Sequence, residues 1–112
     1  MRLLAFCALL GACAHSKGSI DYAAQTWQAL DSAFSDYAER EATHIESLAA
    51  SGREIEAEAR TADLEARVAK WQTIADAIVA GLAAAKSDGR LPDNVGIYLD
   101  RAQALLRDIG AL

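Results

Sequence analysis

Few side chains in this sequence are placed for chemistry. Cys7 and Cys13 are its two cysteines, and a thiol can serve as nucleophile, metal ligand or acylation site according to its neighbours. Glu41-Ala42-Thr43-His44 has the E-x-x-H spacing. On a helix it sets a carboxylate and an imidazole on one face, as in the di-iron sites of four-helix bundles. Such a site needs two of these motifs and two further Glu residues. Here there is one motif, and the other His is His15, so Glu41 and His44 are expected on a solvated helix face, with no metal and no cofactor. No Gly-rich elbow accompanies any Ser, and no phosphate-binding loop or dinucleotide fingerprint occurs. No catalytic residue is expected, and the chain reads as a non-enzyme.

The elements that position Cys13 are specific. Met1-Arg2 is a minimal positive start, Leu3 to Leu10 is a nearly unbroken apolar run, and Gly11-Ala12 are small. Positive, apolar, small is the order of an export signal. An apolar run of that length cannot span a hydrocarbon core of about 30 Å as a helix. Leu10-Gly11-Ala12-Cys13 resembles the lipobox of bacterial lipoprotein precursors, which places a branched apolar residue and two small ones before the Cys cleaved by signal peptidase II. The resemblance implies a diacylglycerol thioether on Cys13, cleavage before it, and N-acylation of the new terminus. Cys7 follows the bulky Phe6 and would leave with the signal, so the mature chain would carry no free thiol. Ala14 in place of Asp after the Cys implies the outer membrane in a bacterium with two membranes. Two other readings stay open. Ala12-Cys13-Ala14 also fits ordinary signal cleavage, releasing a soluble periplasmic protein that starts at His15, and the segment could instead be the first buried helix of a cytosolic protein.

Length favours a single small domain for the remainder. Of 112 residues, 53% are hydrophobic and 24% charged, which excludes a disordered chain. Alanine inflates that hydrophobic share and only 6% is aromatic, so closely packed long helices suit the composition better than a thick core. The net charge of −5 becomes about −6 once Arg2 is removed. An acidic body is repelled by phosphate backbones and anionic lipids, so no nucleic-acid partner is expected.

The sequence therefore divides into a signal peptide over 1–12, a lipidated tether over 13–19 and a helical domain over 20–112. Ser19 or Asp21 is placed to cap a first helix, and Ile20, Trp27, Leu30, Phe34 and Tyr37 recur at helical spacing along it. Gly52 suits its left-handed end near Ala50, and Ser51 and Glu54 have capping-box spacing for the next helix. Glu54 to Asp63 reads as an exposed tip, with i,i+4 pairs expected at Asp36–Arg40, Glu56–Arg60 and Asp63–Arg67. Leu64, Val68, Trp71, Ala75, Ile78, Leu82 and Ala85 form a heptad seam, which Ile74 and Val79 widen toward a further contact. Ser87 to Pro92 breaks it, and Asp93 is placed to cap a third helix whose seam runs from Val95 to Leu112. Trp27 and Trp71 read as core anchors. The expected fold is all-α: an antiparallel hairpin of two long helices plus a shorter third, a three-helix bundle. The alternative is one continuous helix through Gly52 followed by a short one.

Function follows as an expectation of class. The chain reads as a membrane-anchored helical lipoprotein of the bacterial envelope, acting without catalysis as an adaptor or structural subunit at the periplasmic face. It would engage the membrane through its lipid, and a helical partner or a second copy through its small-residue faces. The alternatives are a lipoprotein of phage or mobile-element origin resembling the outer-membrane spanin subunit of lysis systems, and a soluble periplasmic binding module.

Overall fold

Alanine-rich sequence with one Pro leaves long helical segments uninterrupted, and what ends them is local. A computed structural model describes residues 17–112. Helix α1 covers Lys17–Ala50, α2 Glu54–Asp88 and α3 Asp93–Asp108, with no strand among the described residues. The all-α three-helix bundle is therefore the fold. The first helix starts at Lys17, ahead of the expected cap at Ser19 or Asp21, so the last residues assigned to the tether already belong to α1.

The α1–α2 turn depends on a residue free of a Cβ. Gly52 has φ of 84°, and the amides of Gly52 and Arg53 donate to the carbonyls of Ala49 (3.1 Å) and Leu48 (2.9 Å). These two bonds satisfy carbonyls that the helix end would otherwise leave open, the Schellman arrangement. A continuous helix through Gly52 is thereby excluded. Ser51 belongs to this turn, and its Oγ donates back to Ser47 and Leu48 carbonyls, so the expected capping box with Glu54 does not form. Arg53 stands at the N-cap of α2 without a side-chain cap bond. At α3 the extended Pro92 takes the N-cap position and Asp93 is the first helical residue rather than the cap. The third seam is also shorter than expected: α3 ends at Asp108, and Leu112 is exposed.

Three cross-helix contacts fix the hairpin. Trp71 Nε1–H donates to Asp31 Oδ1 (2.9 Å), Arg67 to the Tyr37 hydroxyl (2.5 Å) and Arg60 to Glu41 Oε2 (2.6 Å). Residue numbers fall along α2 as they rise along α1, so the helices are antiparallel. At the end holding the N-terminal half of α1, Trp71 stacks on Phe34 (4.6 Å between ring centres, 6° between planes) and on Trp27 (5.3 Å, 20°). Ile78, Ala102 and Leu106 complete this core at 0% exposure. The stacked aromatics bury area that alanine cannot.

The third helix reaches this core because α2 carries a glycine where α3 crosses. A Cβ on Gly81 would overlap Val95 Cγ2, and Val95 is fully buried. With 16 residues against the 35 of α2, α3 spans about 24 Å of a helix about 52 Å long. It therefore covers only the half of the hairpin away from the Gly52 turn. Beyond it the hairpin is two helices wide, with Leu48 and Ala57 its buried contacts and Ile55 86% exposed.

Candidate functional site

A few titratable side chains of the hairpin, Asp31, Glu41, Arg60 and Arg67, bond between its two helices. Glu41, the acid of the E-x-x-H motif, accepts the Arg60 guanidinium, and His44 is exposed. The motif therefore presents no paired donor set. Among the described residues no group of three or more His, Cys, Asp and Glu side chains could hold a metal ion. The expected pairs along the helix are replaced. Arg60 turns to Glu41 instead of Glu56, which pairs with Arg53 (2.5 Å), and Arg67 turns to Tyr37 instead of Asp63. Asp36 and Arg40 remain apart and exposed. The reason is geometric: a neighbouring helix offers a partly desolvated acceptor, which i,i+4 spacing on an open surface does not.

Arg67 has its pKa raised. The hydrogen bond to the Tyr37 hydroxyl is the main cause, opposed by desolvation and helped by the electrostatic contributions of Tyr37, Asp63 and Glu41. A guanidinium held charged this firmly is a fixed structural cation and not a proton donor. It also lies over the Tyr37 ring, 6.0 Å from the centre. The two Trp side chains are 8% and 4% exposed and occupied by each other and by Phe34, so they serve as the core anchors expected of them.

One depression lies between α2 and α3, with half-buried Ile74 and Leu105 beside exposed Lys70, Arg101 and Asp108. It is shallow, open and of mixed charge. No buried polar or charged side chain stands among the described residues, so none is poised in an enclosed site. Cys13, the expected lipidation residue, lies outside the described residues, as does the whole proposed signal. No helix among the described residues is long and apolar enough to cross a membrane. No family model, curated protein or solved structure matches the chain.

Two cross-helix contacts escape sequence patterning. Asp31 as the acceptor for Trp71 gives no local signal, because its partner is forty residues away. Tyr37–Arg67 is similarly non-local. Gly81 does carry a signal: a glycine inside an otherwise strong helix costs about 1 kcal/mol, and here it admits the close approach of Val95.

Proposed function

We propose that this chain is the precursor of a bacterial lipoprotein, acylated and cleaved at Cys13, whose helical body acts by contact at the periplasmic face of the envelope. The observation that carries the reading is Leu10-Gly11-Ala12-Cys13 after an apolar run and a single Arg. The ionisable side chains of the helical body lie at the surface or bond between helices, and the depression between α2 and α3 is shallow and open. Lipid acylation with more than one chain suffices for stable anchoring without any spanning helix. With Ala14 following the Cys, the outer membrane is the proposed destination where two membranes exist.

Metabolic acyl labelling of the wild type and Cys13→Ser, with and without an inhibitor of signal peptidase II, tests this. The reading predicts label on the wild type, none on the variant, and a larger precursor under the inhibitor. Unlabelled wild type of unchanged size would favour the second reading, to which Ala12-Cys13-Ala14 also points: ordinary cleavage and a free periplasmic protein beginning at His15.

A further inference from the structure

The tether and the α2–α3 connection share one end of the molecule. Three residues separate Cys13 from Lys17, where α1 begins. At no more than about 3.6 Å per residue, the span from Cys13 to Lys17 is at most about 14 Å. With Cys13 acylated, α1 therefore starts beside the bilayer. Antiparallel packing returns α2 to that end, so residues 89–92 and the first turns of α3 lie there too. The Gly52 turn is at the opposite end of a body with principal extents of 58 × 28 × 15 Å.

Charge is unequal along that length. Residues 36–70, the half toward Gly52, hold nine Asp and Glu against five Lys and Arg. At the tether end the signs balance, with exposed Lys86 and Arg90 against exposed Asp88 and Asp93. Tyr22 and Ile97, 66% and 52% exposed, stand within two turns of the same end. Basic side chains there meet headgroup phosphates favourably, and a ring or an aliphatic chain beside them fits the interface. Lying flat would instead set the acidic half against anionic headgroups, which repel it within a Debye length of about 10 Å. No broad apolar side offsets that repulsion: the other exposed large hydrophobics, Ile55, Val79 and Leu112, stand apart near the turn, in the second half of α2 and after α3.

We propose that the bundle stands on the lipid surface. Its α2–α3 connection, with Arg90 and Ile97, rests on the headgroups of the bilayer that holds Cys13, and the Gly52 turn is held about 50 Å away. The inference rests on the reading of Cys13 as the acylated residue. It makes the two-helix half the reaching end, where a partner beyond the headgroups is met.

The test uses the full chain purified from bacterial envelopes, its mass measured first, in nanodiscs of phosphatidylcholine and phosphatidylglycerol. Nitroxide labels are placed at exposed neutral sites: Asn94→Cys at the tether end, Ala69→Cys midway along α2 and Ala50→Cys beside the turn. A nickel-chelating headgroup lipid relaxes only labels near the bilayer surface. Relaxation should be greatest at Asn94 and about fivefold lower at Ala69 and Ala50, roughly 30 and 50 Å further out. Glu54→Lys/Glu58→Lys/Glu65→Lys reverses charge in the acidic half. It should raise relaxation at Ala50 about threefold in these discs and leave it unchanged in pure phosphatidylcholine. Equal relaxation at Asn94 and Ala50 in the acylated wild type would overturn the proposal, as would a triple variant indistinguishable from it in anionic discs. A chain without lipid overturns the reading of Cys13 and this one with it, whereas an acylated chain lying flat overturns this one alone.

Discussion

The two halves of the hairpin are built from the same two helices by different means. Near the N-terminal end of α1, three helices enclose stacked Trp27, Trp71 and Phe34 with Ile78, Ala102 and Leu106. Toward Gly52, two helices meet through Leu48, Ala57 and the Arg60–Glu41 pair. The difference teaches that α3 is what converts an alanine-rich hairpin into a core. Where it stops, cohesion falls to small residues and half-exposed charge. Amide exchange should register this as two levels of protection, highest around Ile78 and lowest around Ile55.

The strongest way to break the comparison is Trp71→Ala. It removes the ring shared by both stacks and orphans Asp31, and a loss of about 3–5 kcal/mol is expected in urea unfolding. Leu48→Ala, its counterpart in the two-helix half, should cost less, about 2 kcal/mol, because that site is thin and can collapse or admit water. Equal losses would mean the halves are equally well packed.

Glycine substitutions sharpen the role of the third helix. Gly81→Ala adds a methyl group against fully buried Val95, so the overpacking cost of about 1–3 kcal/mol should outweigh a helix-propensity gain of about 1 kcal/mol. Gly96→Ala, in α3 with open space around it, should instead stabilise by up to about 1 kcal/mol. Opposite signs in thermal melts would locate the crossing at Gly81. The smallest effect belongs to the two-helix half: Arg60→Ala should lose about 0.5 kcal/mol, measured in low salt, because the Arg60–Glu41 pair is part-exposed.

Much of this architecture is legible in the residues. The seam from Leu64 to Ala85 shows α2, Gly52 shows the turn, and Ser87 to Pro92 shows the second break. What sequence pattern misses is the partner across a helix interface. Arg60 and Arg67 have near neighbours of opposite charge at i,i+4, yet pair with Glu41 and Tyr37 because antiparallel packing brings those closer. Pattern also overstates burial: Val68, Ala75 and Leu82 belong to the seam but lie half open, because α3 approaches from the other side. The early start of α1 escapes too, since helix continued through Gly18 and Ser19, residues of modest helix propensity. The chemistry proposed at Cys13 is readable only as a local motif, and no packing argument bears on it.

The most direct test of that chemistry is the intact mass of the chain extracted from bacterial envelopes. The account predicts a polypeptide beginning at Cys13 and carrying a thioether-linked diacylglycerol with an N-acyl chain. An unmodified polypeptide beginning at His15, or one retaining Met1 through Ala12, would contradict it.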